Sequence, residues 1–273
     1  MRIAIRYIKY ILILPCFILG GCSQTPKTTT EDRIVHFFPE APKEEIQSRS
    51  FVDQIRDPHF CYFTPPKGWD LADMSKLSHR MRICFIGKSS SNLLPSVSLA
   101  TEKVDISLKA YVDIVKSDCE KDPNSVWRDL GKYNTSLGEG RLTEREMKTQ
   151  WGISRQIQLI VIKDNQAYVL TAGALKEEFS RHYQDFEAVL RSLTITQDLT
   201  APLASTEKKE LLQKLVEKLE KSFQAEETFE SKTFQKESWE PFQQKIINDF
   251  TEMGPYWQIL LLRDVQNKLL KRI

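Results

Sequence analysis

The stretch Val161-Ile162-Lys163-Asp164-Asn165-Gln166-Ala167-Tyr168-Val169-Leu170-Thr171 decides the fold class. Two runs rich in β-branched and aromatic residues flank the pair Asp164-Asn165, which is typical of a tight turn between antiparallel strands. The stretch therefore predicts a β-hairpin, with one strand over residues 153–162 and the next over 166–171. An antiparallel sheet is the framework into which the rest of the chain has to fit.

Strand composition recurs before this hairpin, in the segments 60–63, 81–86, 96–101, 125–133 and 141–148. Two amphipathic patterns interrupt or follow these strands. One begins at the helix cap Ser107 and repeats apolar residues every three or four positions as far as Cys119. The other runs from Phe179 to Leu193. This order predicts an α+β fold in which an antiparallel sheet carries helices on its faces.

A helical extension is expected after the sheet region. The first helix carries an apolar stripe from Leu211 to Phe223, the second is predicted to start at Ser238, and the third runs from Tyr256 to about Lys271. The short segment 198–205 has the composition of a linker. The sequence therefore predicts a sandwich domain over residues 51–197, able to fold alone, and an extension over 198–273.

Four segments together resemble the PsbP-like fold. They are residues 63–69, the helix start Ser107-Leu108, the hairpin described above, and residues 186–193. The fold is shared by a photosystem assembly protein, a Ran-binding import factor and DcrB-type bacterial lipoproteins, and the resemblance covers residues 57–197. It implies an α+β sandwich that binds or organises other macromolecules. A photosystem partner is not implied, because no counterpart of the photosystem-binding extension is visible.

The N-terminal 21 residues have the layout of an export signal, with Arg2, Arg6 and Lys9 ahead of a short apolar run. The run ends in Leu19-Gly20-Gly21-Cys22, which resembles the lipobox of bacterial lipoproteins. The resemblance implies cleavage between Gly21 and Cys22 and acylation of the Cys22 thiol. The alternatives are a membrane-spanning helix or an ordinary secretory signal with a chance cysteine. A spanning helix needs about 20 apolar residues, and this run is shorter and is broken by Lys9 and Pro15.

Residues 22–50 are predicted to be a flexible tether, since a composition rich in Thr, Pro, Glu, Lys and Ser cannot bury enough apolar surface to fold. The exception is Ile34-Val35-His36-Phe37-Phe38-Pro39, which could dock on the folded part. Within the tether, Ser23 directly follows the lipobox cysteine. By resemblance to the lipoprotein sorting rule, a residue other than Asp at this position favours the outer membrane over the inner one.

Charge and composition exclude some classes of function. The chain has 39 basic and 37 acidic residues, and three of the basic residues lie in the predicted signal. The remaining chain is close to neutral and shows no basic stripe, so nucleic acid is not an expected partner.

No motif for catalysis, metal or cofactor binding is visible. Gly138-Glu139-Gly140 lacks the lysine of a phosphate-binding loop, and the four histidines, His36, His59, His79 and His182, are scattered. The only Ser-x-x-Lys arrangement, at Ser205 and Lys208, is interpreted as a helix cap beside a solvated lysine. The protein is therefore not expected to be an enzyme.

Two groups of residues leave alternatives open. Cys61 and Cys84 could pair as a disulfide between neighbouring strands, or remain buried thiols together with Cys119. The aromatic residues of the extension could form an exposed interaction patch, with Trp239, Phe242, Tyr256 and Trp257 as its candidates. Packing of these side chains inside the extension is the favoured alternative.

The sequence thus predicts a bacterial envelope lipoprotein that is anchored to the membrane by its acylated N-terminus and faces the periplasm. Its expected role is to bind another envelope protein without catalysis. The alternative is a carrier that holds a small ligand or lipid inside the sandwich.

Overall fold

The computed structural model describes residues 59–73, 80–135, 138–224, 226 and 228–271. The predicted signal peptide, residues 1–21, and the predicted tether, residues 22–50, lie outside the described residues. The chain divides into two compact units. Residues 66–191 belong to the first, called here the sheet unit, and residues 56–65 together with 192–273 form the second, called the helical unit.

The sheet unit is built on a seven-stranded antiparallel sheet with the order β2-β3-β4-β8-β7-β6-β5. Its strands are β2 (Asp70–Leu71), β3 (Met81–Ile86), β4 (Ser96–Lys103), β5 (Ser125–Thr135), β6 (Gly138–Thr149), β7 (Gly152–Lys163) and β8 (Gln166–Leu175). The sheet confirms the predicted antiparallel α+β class. Only the two-residue strand β2 has no counterpart among the predicted strands.

Two helices cover parts of the two sheet faces. Helix α1 (Leu108–Glu120) begins where the Ser107 hydroxyl accepts a hydrogen bond from the amide of Ala110, and it packs on Ile160. Helix α2 (Lys176–Arg191) follows β8 directly, and Arg155 lies over its Phe179 ring. Successive residues of a strand point to opposite faces, so even-numbered residues of β7 face α1 and odd-numbered ones face α2.

The hairpin between β7 and β8 forms as predicted. Asp164 and Asn165 have φ angles of 49° and 59°, and Lys163 pairs with Gln166 on either side of them. Two consecutive residues with positive φ make the type I′ turn, whose twist matches that of the flanking strands. Asp and Asn tolerate this left-handed conformation better than other side chains do, which explains why the sequence signal was correct.

Replacing Asn165 by valine should destabilise the protein by about 1–2 kcal/mol, because a β-branched side chain is poorly tolerated at positive φ. Urea denaturation of the full chain measures the change. The matched control is Asn134→Val, on exposed extended backbone in β5, where valine suits the strand. Equal stability of the two variants would contradict this account of the turn.

The helical unit contains a two-stranded antiparallel pair and a set of helices. The strands are β1 (Phe60–Tyr62) and β9 (Thr194–Thr196). The helices are α3 (Thr206–Phe223), α4 (Lys232–Phe234), α5 (Glu240–Asp249) and α6 (Gly254–Leu270), with a π-helical turn (Gln235–Trp239) joining α4 to α5 and a 3-10 turn (Thr251–Met253) before α6.

The second helix of the extension starts earlier than predicted. Ser231 is its cap, and Ser238, the predicted start, lies inside the π-helical turn. Pro241 has no N–H group to donate to the preceding turn. The helix continues through this point as a wider π-helical turn. In this turn the amide of Glu240 donates to the carbonyl of Gln235 five residues earlier.

The boundary between the units differs from the predicted division after residue 197. It lies between Arg191 and Ser192, and residues 56–65 join the helical unit. The segment with linker composition is packed: Leu199 and Leu203 are buried, and the indole N–H of Trp257 donates to the carbonyl of Leu199 at 2.9 Å. The small and polar residues around the two leucines gave no signal of this burial.

Candidate interaction surface

Strand β5 lies at the end of the sheet and has one strand neighbour, β6, among the described residues. We call Ser125–Thr135 the β5 edge. Two of its apolar side chains face solvent, since Val126 is 58% exposed and Leu130 is 47% exposed. Backbone N–H and C=O groups on the outer side of an edge strand are available to a further strand. Among the described residues, the β5 edge therefore combines an outer side without a strand neighbour with exposed apolar side chains.

A bulge divides the β5 edge. The pairing register passes from Asp129–Thr143 to Gly131–Leu142, which leaves Leu130 unpaired, and Gly131 adopts a φ of 106°. The carboxylate of Asp129 stabilises this bend by accepting the amide N–H of Gly131 at 2.9 Å. Bulges limit how far a new strand can extend along an edge. The regular parts of the β5 edge are consequently residues 125–129 and 132–135.

The first residue of the β5 edge is held by a buried arginine. The guanidinium of Arg145 donates to the Ser125 hydroxyl at 2.9 and 2.6 Å and to the Asp122 carboxylate at 3.1 Å. The Ser125 amide donates to the Asp122 carbonyl at 3.0 Å. Arg145 is only 3% exposed, so these hydrogen bonds are largely shielded from water. They fix the start of β5 to the loop that follows α1.

Charged side chains on the α2 face connect β5 to its neighbours. Arg128 of β5 forms ion pairs with Glu144 and Glu146 of β6, and Arg155 binds Glu144 from the other side. Lys176 donates to Glu146 at 2.8 Å, and this contact holds the pKa of that carboxyl below its usual value. Arg128 remains half exposed at the outer strand. Among these five charged side chains, the one exposed at the β5 edge is therefore the positive Arg128.

The exposed aromatic patch, the less favoured alternative, is not what the structure shows, because all four of its candidate residues are buried inside the helical unit. Trp239 packs on Phe242, Tyr256 packs edge-on against Phe63 at 5.3 Å, and Trp257 has no exposed surface. These side chains are the core of the helical unit. The favoured alternative, internal packing, is the one the structure shows.

Of the two alternatives for the cysteines, the structure shows buried thiols and no disulfide between Cys61 and Cys84. Cys61 lies in β1, whose partner is β9, whereas Cys84 lies in β3, between β2 and β4. The prediction assumed that the two strands are neighbours, and they belong to different sheets. Burial raises the pKa of the Cys84 thiol to about 12 and also raises that of Cys119, so neither thiol is activated for chemistry.

Ser205 caps α3 as predicted, but Lys208 is not a solvated lysine. Its ammonium donates to the carbonyl of Asp249 at 2.5 Å, pairs with Glu252 at 2.7 Å and lies 5.4 Å from the centre of the Phe250 ring. The lysine therefore binds the C-terminal end of α5, where carbonyl groups lack helical partners. No local pattern could have shown this contact, because the two segments lie about 40 residues apart.

Other features of the described residues bear on chemistry. His182 contacts Trp69 edge-on at 6.0 Å, and His59 lies 3.3 Å from the side-chain amide of Gln197. His36 and His79 lie outside the described residues. In the ranges that the structure covers, no three His, Cys, Asp or Glu side chains group as metal ligands would. The helices in these ranges include none with the length and apolarity needed to cross a membrane.

Helix α3 carries one depression that is open to solvent. Its lining is mainly charged: Lys214, Glu217, Lys218, Lys221 and Ser222. Pockets that hold apolar ligands are concave and mostly lined by apolar side chains. This depression does not favour the carrier alternative.

The comparisons with known proteins give similarity at the level of solved structures alone. Neither a family model nor a curated protein matches the chain. The chain is similar to LpqN of Mycobacterium tuberculosis, described as involved in cell envelope biogenesis, with 14% identity over 50% of this chain and 84% of that chain and a TM-score of 0.39. It is similar to cyanobacterial PsbP from Synechocystis, with 9% identity over 50% of this chain and 92% of that one and a TM-score of 0.37. A structure from Bacteroides thetaiotaomicron has 12% identity, 78% coverage of both chains and a TM-score of 0.32.

These similarities are too distant to carry an argument about function. The structure itself defines the class as an α+β protein with an antiparallel sheet, helices on its faces and a C-terminal helical stretch.

Proposed function

We propose that this chain is a lipid-anchored protein of the bacterial envelope that binds another protein at the β5 edge and catalyses no reaction. The observation that carries the proposal is the edge itself, an eleven-residue strand with two exposed apolar side chains and one strand neighbour within the described part of the chain. An extended segment of a partner can hydrogen-bond to such an edge and place alternate side chains on its two faces. The buried Arg145 supports this role, because it holds the start of the strand in place.

The proposed localisation in the envelope rests on the resemblance of Leu19-Gly20-Gly21-Cys22 to a lipobox. An acylated Cys22 would place the folded units on the periplasmic side of the membrane, with the outer membrane favoured over the inner by Ser23. The lipobox supports the binding role indirectly, because an anchored protein would meet envelope proteins at the membrane surface.

Replacing Cys22 by serine should abolish acylation and leave an unprocessed precursor, because the thiol is the acyl acceptor in the lipobox scheme. Palmitate labelling and intact mass measure both effects. The matched control is Cys16→Ser, which changes the other cysteine of the N-terminal segment and should leave labelling intact. Palmitate labelling of the Cys22→Ser variant would show that the lipobox interpretation is wrong.

The binding role is tested by site-specific photo-crosslinking in cells that contain the full-length protein. A photoreactive residue at Val126 should give one adduct of defined mass with an envelope protein. The control position is Ile247, which is 45% exposed and apolar but lies in helix α5 of the helical unit and not in a strand. If Val126 gave no adduct, or the same adducts as Ile247, the β5 edge would not be the binding surface.

A further inference from the structure

We propose that the partner segment bound at the β5 edge is an extended strand with an acidic residue opposite Arg128 and an apolar residue opposite Val126. The inference rests on the proposed function and adds to it the chemistry of the partner. It concerns the α2 face of the regular part 125–129, where both side chains are exposed.

Charges of opposite sign alternate from strand to strand on this face. In the register of the sheet, Arg128 of β5 lies directly opposite Glu144 of β6, and Glu146 of β6 lies directly opposite Arg155 of β7. The sign is therefore positive on β7, negative on β6 and positive on β5. Opposite charges on directly opposed residues stabilise a sheet, and like charges destabilise it. A strand added beside β5 continues this alternation when it carries an acidic residue opposite Arg128.

The guanidinium of Arg128 has hydrogen-bond donors left for such a residue. Its ion pairs with Glu144 and Glu146 both use the same nitrogen, Nη2, and the contact with Glu146 is 3.1 Å long. Within the described part of the chain, Nε and Nη1 contact no carboxylate. These two nitrogens carry three N–H groups. A carboxylate from a partner can therefore accept from Arg128 without displacing the ion pairs that hold β5 to β6.

The surroundings of Val126 are positive overall. The charged group formed by Arg128 and its partners has three positive and two negative members, and the two carboxylates are the least exposed of the five. Lys148 lies on the same face of β6 and is exposed, and its amide donates to the carbonyl of Asn124, just before β5. Val126 thus lies between two cationic positions. An apolar residue with an acidic neighbour on the same face suits this surface.

Other charges at the β5 edge occur as ion pairs: Asp129–Arg141, Lys132–Glu139 and Glu187–Arg191. Each pair combines one acid with one base, so it adds no net charge. Asp129 and Lys132, the two remaining charged residues of β5, also lie on the α1 face, opposite to the face of Arg128. They do not cancel the positive charge on the α2 face.

The direction of the strands fixes the order of the two partner residues. Every strand of the seven-stranded sheet runs antiparallel to its neighbours, and antiparallel pairing is the slightly more stable kind. An antiparallel segment passes Arg128 before Val126. Because alternate residues of a strand share a face, the expected pattern is an acidic residue followed two positions later by an apolar one.

Photo-crosslinking to the purified full-length lipoprotein in detergent tests the inference. Two nine-residue threonine peptides carry a photoreactive leucine two positions after either a glutamate or a lysine, and the protein receives them as an equimolar mixture. The glutamate peptide should give about fivefold more adduct with residues 125–129 than the lysine peptide, as expected for one partly exposed ion pair. Mass spectrometry of the digested adducts measures this ratio.

In the variant Arg128→Glu the preference should reverse in favour of the lysine peptide. The matched control is Arg181→Glu, which makes the same change of charge at an exposed arginine of α2 and should keep the preference for glutamate. Equal yields from the two peptides in the unmodified protein, or no adduct with residues 125–129, would overturn the inference. An unchanged preference in Arg128→Glu would overturn it as well, because Arg128 would not be its source.

The proposed function is tested separately, by the adduct that forms from Val126 in cells. An adduct whose crosslinked partner segment has no acidic residue would overturn the inference and leave the binding role standing. The expected peptide ratio without any adduct in cells would contradict the binding role and leave the preference of the β5 edge for an acidic strand standing.

Discussion

Replacing Trp257 by alanine should lower the free energy of unfolding by about 4 kcal/mol, the largest effect expected from a single substitution in the helical unit. The Trp257 side chain has no exposed surface, packs on Phe250 with ring centres 5.9 Å apart and donates to the Leu199 carbonyl. Alanine would remove these contacts, leave a cavity and leave a buried carbonyl without its donor. Urea denaturation followed by far-ultraviolet circular dichroism measures the change.

The control for this prediction is Ile247→Ala, since the isoleucine is a large apolar residue of the same unit but is substantially exposed. Its effect should stay within about 0.5 kcal/mol. A further variant, Trp257→Phe, keeps most of the ring and removes the hydrogen bond, so it should lie between the two. If Trp257→Ala were as stable as Ile247→Ala, the helical unit would not be organised around this tryptophan.

Replacing Arg145 by leucine should destabilise the sheet unit by about 3 kcal/mol. The side chain of Arg145 is 4% exposed and that of its partner Asp122 is 16% exposed, so the aspartate would be left as a poorly solvated charge. The Ser125 hydroxyl would lose its two hydrogen bonds from the guanidinium as well. Urea denaturation and hydrogen exchange at the start of β5 should both report the loss.

Lys132→Ala is the matched control, because it also breaks an ion pair between β5 and β6, but an exposed one. Such pairs contribute little, and the change should cost less than about 0.5 kcal/mol. Added salt should weaken the Lys132–Glu139 pair and leave the effect of Arg145→Leu nearly unchanged. Equal costs for the two substitutions would mean that the burial of Arg145 does not determine its contribution.

The parts of the fold that the sequence predicted correctly are those determined by residues close together in the chain. Asp164 and Asn165 set the hairpin turn by their own backbone preferences, and Ser107 caps α1 through an amide three residues away. The apolar spacing of α1 and α2 predicted most of their buried side chains, although Tyr183 of α2 is 50% exposed. These signals do not depend on the rest of the structure, so a single sequence is enough to detect them.

The parts that were missed depend on residues far apart in the chain. β1 pairs with β9 across more than 130 positions, as in the pair Phe60–Thr196, and no local pattern selects that partner. The same limit explains the absent Cys61–Cys84 disulfide and the burial of Trp257 against the segment after β9. The sequence showed that these side chains are apolar. Which of them come into contact is decided by the tertiary structure.

The candidate site shows the same division. Residues 125–133 were predicted to form a strand, and the structure has β5 over Ser125–Thr135. That this strand lies at the end of the sheet follows from the strand order, which the sequence did not reveal. Val126 and Val161 are the same residue type in strand segments, yet one is exposed and the other is buried. The exposure of Val126 could be recognised only after the strand neighbours of β5 were known.

The pairing of β1 with β9 has a mechanical consequence for a tethered protein. The whole of residues 66–191 is inserted between these two short strands, which are hydrogen-bonded to each other in antiparallel register. Tension from the anchor proposed at Cys22 would enter the described residues at β1 and pass through those hydrogen bonds to β9 and the C-terminal helices. The inserted sheet then lies outside the main load path. Its outer strand would keep its shape while the anchor is under strain.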